Sequence, residues 1–409
     1  MAEFSIDPYV ERYAARTAGM TASEVRALFA VASRPEVISL AGGMPFVQAL
    51  PTEDVLAVVE KVIRERGSLA LQYGGGLGQV TLREQLADLM AEEGIEGADP
   101  EQICVTVGGT QALDILGKIF LDAGDEIVVE APTYVGTLSA FSAYEPRILT
   151  VGLDDDGMRV DELEQLLVSG VRPKFVYTIP NFQNPSGVTL SLERRHQLIA
   201  LCRQAGVPIV EDNPYGLLRF EGESLPTLKS LDPENVIYVG SLSKVFAAGI
   251  RLGWAYAESG VLQRFLPAKE AADLCTSNLT QLIAEEYFAG DRWRPNLATL
   301  VDTYRRRRDA CVRALEDSFP DGTSWTHPAG GFYVWVTVPD HFDTSRMLAA
   351  AVERRVAYVP GTAFYPDERG ANQLRLAFCY PPEDAIEEGV HRLAELLADE
   401  ETLYRSLKP

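Results

Sequence analysis

From about residue 50 to residue 290, short apolar and β-branched runs alternate with stretches of helical spacing. Ile103–Val107, Glu126–Glu130, Lys174–Ile179, Pro208–Glu211, Val236–Gly240 and Gly253–Tyr256 predict strands. Several are almost wholly apolar, as strands covered on both faces should be. Between them, Thr110–Leu121 and Ser191–Ala205 carry helical periodicity. The alternation predicts an α/β fold with a mostly parallel sheet flanked by helices. Beyond about residue 290 the pattern changes. A helical stretch, Leu297–Leu315, leads into Gly330–Val336, which alternates like a strand; a strand-like Leu374–Phe378 and a closing helix Ile386–Leu397 follow. The expected division is a large domain over residues 49–290 and a small α+β domain made of 1–48 plus 291–409. There is no internal repeat, low-complexity tract or DNA-binding helix-turn-helix signature.

Composition narrows the function classes. The 409 residues suffice for two domains. A formal net charge of -22 argues against non-specific nucleic-acid binding and against an anionic membrane surface. A small anionic ligand therefore needs a local basic pocket. Five scattered cysteines without a Cys-x-x-Cys pair read as free thiols in a reducing compartment. No signal-like segment opens the chain, and no apolar run reaches about 18 residues. A cytoplasmic protein is expected. The four histidines form no ligand-like pair, so no metal site is expected.

The chemistry concentrates at predicted strand ends, where open α/β sheets bind ligands. Gly108-Gly109-Thr110-Gln111 closes one strand and opens a helix, leaving free N–H groups for a phosphate. Ser241 and Ser243 add hydroxyls, and Arg251 supplies a guanidinium that can clamp phosphate oxygens. Lys244, among small and apolar residues, offers an amine that desolvation keeps nucleophilic. Asp212 offers a carboxylate for a ring nitrogen, while Tyr215 and Asn184 can bond a phenolic oxygen. Together these match pyridoxal 5'-phosphate, with Lys244 forming the Schiff base. Gly74-Gly75-Gly76-Leu77-Gly78 lacks the spacing and flanking acid of a dinucleotide site.

In chain order these motifs resemble the class I/II aminotransferases of pyridoxal-phosphate fold type I, over nearly the whole chain. The 2-aminoadipate/kynurenine aminotransferase branch is the most similar. That resemblance implies a mostly parallel seven-stranded sheet in a large domain beside a smaller α+β domain. It also implies ping-pong transfer of an amino group from an L-amino acid to a 2-oxo acid, with 2-oxoglutarate as the expected acceptor. Ser39-Leu40-Ala41-Gly42-Gly43-Met44-Pro45 resembles the branch's substrate loop, which places Gly43 at the substrate. Leu71-Gln72-Tyr73-Gly74 resembles its dimer-spanning segment, so the chain should be a homodimer with Tyr73 reaching the neighbour's phosphate. Glu130-Ala131-Pro132-Thr133-Tyr134 resembles the loop whose aromatic, here Tyr134, stacks on the cofactor ring. By similarity Arg375 binds the substrate α-carboxylate, with Asn184 beside it, and Arg26 matches a mobile helix that can contact an acidic side chain. The sequence departs from the branch at Ser186, Asn213-Pro214, Ala248 and Gly109-Thr110.

Two rival readings stand beside the transaminase. Another reaction of the same cofactor (β-elimination, decarboxylation or aldol cleavage) would use the same electron sink. A ligand-sensing module like those of MocR-type regulators would need a further DNA-binding domain and a basic surface, and neither residues 1–48 nor the charge fits. Arg26 and Arg375 suit a dicarboxylic partner; Phe46, Tyr134, Phe332 and Tyr358 are candidates to line an apolar pocket.

Overall fold

The computed structural model describes residues 7–20, 34–291, 293–367 and 369–407; Arg26 lies outside them. Fourteen strands occur among these residues: β1 (Ile38–Ser39), β2 (Ile103–Thr106), β3 (Glu126–Ala131), β4 (Arg147–Asp154), β5 (Gly157–Met158), β6 (Val176–Thr178), β7 (Ile209–Asp212), β8 (Val236–Ser241), β9 (Gly253–Tyr256), β10 (Ser324–Trp325), β11 (Tyr333–Thr337), β12 (Val356–Ala357), β13 (Val359–Pro360) and β14 (Gln373–Ala377).

The main sheet has the order β2-β9-β8-β7-β6-β3-β4-β5. Its middle, from β8 to β4, is parallel. Strand β9 runs antiparallel to both β2 and β8. The sheet has eight strands rather than seven because Gly157–Met158 folds back antiparallel on the end of β4.

Alternation within the strands builds two cores, one on each face. Val128, Val176, Ile209 and Val236 pack in one cluster, with Leu198 and Cys202 of the helix Leu192–Ala205. Their neighbours Ile127, Val129, Tyr177, Val210 and Ile237 face the other cluster, with Leu113 and Leu116 of the helix Gly109–Phe120. Successive side chains of a strand point to opposite faces, and both faces here are covered, so the strands read as continuous apolar runs. Local signals fix the helix ends. Ser191 accepts from the Arg194 N–H as N-cap, and Gly206 closes the same helix at φ 67°, in the left-handed region that favours glycine.

A second sheet, β10-β11-β14-β13, is antiparallel throughout. The long helices Trp293–Ser318 and Glu383–Leu407 accompany it. Strand β1 pairs in parallel with β12, Ile38 opposite Val356, which ties the segment before residue 50 to the C-terminal third. Among the described residues no helix is long and apolar enough to cross a membrane.

Candidate active site

The parallel strands end on one rim, and residues from several segments meet there. Strand β9 is the exception in direction, so its first residue, Gly253, reaches the same rim. A Cβ on Gly253 would sit 2.6 Å from the Gly108 carbonyl carbon and the Gly109 nitrogen. Only glycine permits so close a backbone approach. The helix Gly109–Phe120 starts at this contact, with Gly108 as N-cap at φ 77°, ψ 168°.

Arg251 lies over that helix start: a Cβ on Gly108 would come within 2.5 Å of its Nη2. Arg251 is exposed and itself has φ 54°, closing the turn before β9. Across the rim, the Ser241 hydroxyl donates to Ser243 Oγ at 2.9 Å and accepts from the Ser243 N–H at 3.1 Å. A helix N-terminus, two hydroxyls and a guanidinium thus surround one spot, a donor set suited to a phosphate.

Lys244 follows in the same turn. Its Nζ donates to the Gly43 carbonyl at 2.9 Å and lies 5.2 Å from the Phe332 ring centre. Desolvation lowers its pKa to about 8, so a substantial share of the amine is neutral near physiological pH. Asp212 ends β7 and is 6% exposed. Burial raises its pKa to about 7, opposed by the Tyr177 hydroxyl, which donates to Oδ2 at 2.8 Å. A carboxyl with one neutral donor and, among the described residues, no ion-pair partner is suited to receive a protonated ring nitrogen.

Tyr215 is buried and packs edge-on to Phe332 and Tyr333; its hydroxyl donates to Tyr333 Oη at 3.4 Å. Burial pushes its pKa well above the usual phenol value. Asn184 Oδ1 accepts from Arg375 Nη1 at 2.8 Å, leaving the Asn184 amide N–H groups to donate. Arg375 projects from β14, is 3% exposed, and donates through Nη2 to the Ala41 carbonyl at 2.6 Å. Its Nε is buried without a partner. An unpaired buried donor costs about 1–3 kcal/mol, which an incoming carboxylate would recover. Tyr134 caps the helix Val135–Ser142, and its phenol lies within electrostatic reach of Asp212, Arg375 and Arg251, beside the Thr110 hydroxyl. The donor set fits pyridoxal phosphate: N–H groups, hydroxyls and a guanidinium suit its phosphate, a buried carboxyl its ring nitrogen, and an amine its aldehyde.

Residues 36–393 match the family model for aminotransferase class I and II. The chain belongs to that family. Its cofactor is pyridoxal phosphate and its substrates are amino and oxo acids. Among curated relatives, an aromatic-amino-acid aminotransferase of Thermococcus litoralis is 44% identical over 96% of this chain and 95% of its own length. The kynurenine aminotransferase of Pyrococcus horikoshii, solved with pyridoxamine phosphate, is 41% identical with a TM-score of 0.91, covering 98% of this chain and 99% of that one. The α-aminoadipate aminotransferase of Thermus thermophilus, solved with a phosphopyridoxyl-leucine, is 34% identical with the same TM-score over 97% and 99%.

Within this aminotransferase the sequence-predicted residues that the structure describes fall into three groups. Gly43, Gly109, Thr110, Tyr134, Asn184, Asp212, Tyr215, Ser241, Ser243, Lys244, Arg251 and Arg375 lie on or beside the rim. Gln111 lies there through its backbone, but its side chain turns away: Oε1 accepts from the Val107 N–H and Nε2 donates to Asp273. Tyr73 is 76% exposed, outside its own chain's site. Of the pocket candidates, Phe332 lies beside Lys244, while the Tyr358 hydroxyl is spent on the Thr344 carbonyl. Three residues carry roles that sequence reasoning did not assign. Tyr177 bonds Asp212, Tyr333 packs against Gly43 and Tyr215, and Gly253 allows the backbone contact above. The glycine opening an apolar strand was the one readable signal among these.

Proposed function

We propose that this aminotransferase transfers the amino group of an L-amino acid to 2-oxoglutarate by a ping-pong route, with Lys244 as the reacting amine. The observation that carries this reading is the rim itself: a half-buried amine, with its pKa lowered to about 8 by desolvation, within electrostatic reach of Arg375 and its unpaired Nε, and a buried carboxyl, Asp212, at the end of β7. When bound, pyridoxal phosphate supplies an aldehyde for the amino group and a ring that takes up the α-carbon's electron pair.

The protein's own groups divide the remaining work. Gly109, Thr110, Ser241, Ser243 and Arg251 hold the phosphate, with Tyr73 of a second copy. The backbone N–H of Gln111 adds to the same helix start. Asp212 keeps the ring nitrogen protonated, and Tyr134 covers one ring face. Tyr215 and Asn184 hold the phenolic oxygen. Arg375 takes the substrate carboxylate through its planar fork, directed by Asn184. Lys244, once displaced, moves a proton between the substrate α-carbon and the neighbouring cofactor carbon; such placement is worth about 7–11 kcal/mol.

The three relatives above are named for aromatic amino acids, kynurenine and α-aminoadipate, which supports a donor with a long or aromatic side chain. Arg26 is proposed to meet an acidic side chain. Sheet distribution supports the division into 49–290 and 1–48 plus 291–409, and five free thiols support a cytoplasmic setting. The test is a panel of amino donors against 2-oxoglutarate and pyruvate, with borohydride trapping and peptide mapping. The label should fall on Lys244, and Lys244→Ala should abolish turnover while retaining some pyridoxal phosphate. Label on another lysine, or turnover by that variant, would refute the assignment.

A further inference from the structure

We propose that Glu130 is a positioning residue of this active site, joining the loop that carries Tyr134 to the loop that carries Asn184. The inference rests on the roles proposed for those two residues. Glu130 is the penultimate residue of β3 and is 1% exposed. Its Oε1 accepts from the Thr178 hydroxyl at 2.5 Å. Its Oε2 accepts from the Gln183 side-chain amide at 3.0 Å and from the Ile179 N–H at 3.3 Å. Gln183 then extends the link. The same amide nitrogen donates to the Pro132 carbonyl at 2.8 Å, and its Oε1 accepts from the Ser186 N–H at 2.8 Å. Carboxyl, amide and carbonyl thus bridge two loops, with Tyr134 two residues past Pro132 and Asn184 next to Gln183.

Packing alone does not account for an acid here. A buried carboxyl costs several kcal/mol that an apolar side chain of similar volume would avoid. No Lys or Arg pairs with Glu130 among the described residues, so ion pairing is not its role. Each of its partners lies on β6 or on the Asn184 loop just beyond it. What the carboxyl supplies is acceptor capacity: two oxygens serving three donors whose positions fix the Asn184 loop. A glutamine can serve the same geometry. Its oxygen would face Gln183 and Ile179, and its N–H₂ would face Thr178, whose hydroxyl can turn to accept.

The test compares Glu130→Ala and Glu130→Gln with the parent protein. Three quantities are measured: the dissociation constant for pyridoxal phosphate in cofactor-free protein, the KM for the amino donor, and kcat. Glu130→Ala should weaken cofactor binding about tenfold and raise KM by a similar factor, because Asn184 and Tyr134 lose their common support. Glu130→Gln should stay within about threefold of the parent on both. Unchanged values for Glu130→Ala overturn the proposal. So does a Glu130→Gln variant as impaired as the alanine, since charge rather than the link would then matter. Should Glu130→Ala fail to fold, Gln183→Met cuts the link with Glu130 in place and should give the same tenfold loss; unchanged binding there overturns the proposal equally. A parent protein that takes up no cofactor would instead refute the active-site reading.

Discussion

Asp212 shows how a functional group is held at the expense of the fold. Burial raises its carboxyl pKa to about 7, whereas in an unfolded chain it ionises near 4. Between those values the folded, cofactor-free protein binds a proton that the unfolded chain has released. Stability therefore falls as pH rises from about 4 to about 7 and levels off above that. Asp212→Asn removes the penalty and leaves Tyr177 an acceptor. The variant without cofactor should be more stable at pH 8 by up to about 4 kcal/mol, and by only about 1 kcal/mol at pH 4.5, as read by thermal melts. It should also bind pyridoxal phosphate at least tenfold more weakly. A melt unchanged at pH 8 would mean that the carboxyl is not desolvated as described.

Elements differ in how much of them the sequence discloses. Strands β2, β3, β7, β8 and β9 are legible because both faces are covered, which leaves an apolar run between turn residues. Strand β4 is not: Arg147 and Asp154 at its ends are exposed and most of it is only half-buried, so no continuous run marks it. Its antiparallel partner β5, only two residues long, carries no pattern of its own. Residues proposed for the imine and phosphate chemistry lie in short motifs and can be read directly. Tyr177 and Tyr333 cannot, because their roles depend on neighbouring strands that periodicity does not pair. The helix start at Gly108 joins both kinds of information. Its positive φ strains Gly108→Ala, and the added methyl would displace the Arg251 guanidinium from the helix start. That variant should lower affinity for pyridoxal phosphate more than for phosphate-free pyridoxal, measured by titrating cofactor-free protein. Equal losses for both would place the defect elsewhere than the phosphate end.

At the scale of the molecule, exposed apolar residues gather near Tyr73. Leu71 is 75% exposed and Leu274 is 55% exposed; the Gly74 N–H donating to Cys275 Sγ at 3.4 Å brings their two segments together. A net charge of -22 on each copy opposes association, so a dimer across this patch should tighten as salt screens the repulsion. Light scattering at rising ionic strength should show a stable dimer, and Tyr73→Ala should weaken cofactor retention without unfolding the chain. A monomer with full activity would refute the shared site. The placement of β9 has a further consequence for how the protein matures. Among the described residues strand β2, which leads into Gly108 and Gly109, pairs with the main sheet only through β9. A nascent polypeptide should therefore complete the proposed vitamin B6 pocket only after Tyr256 has cleared the ribosome, which makes capture of the coenzyme a late event in biogenesis.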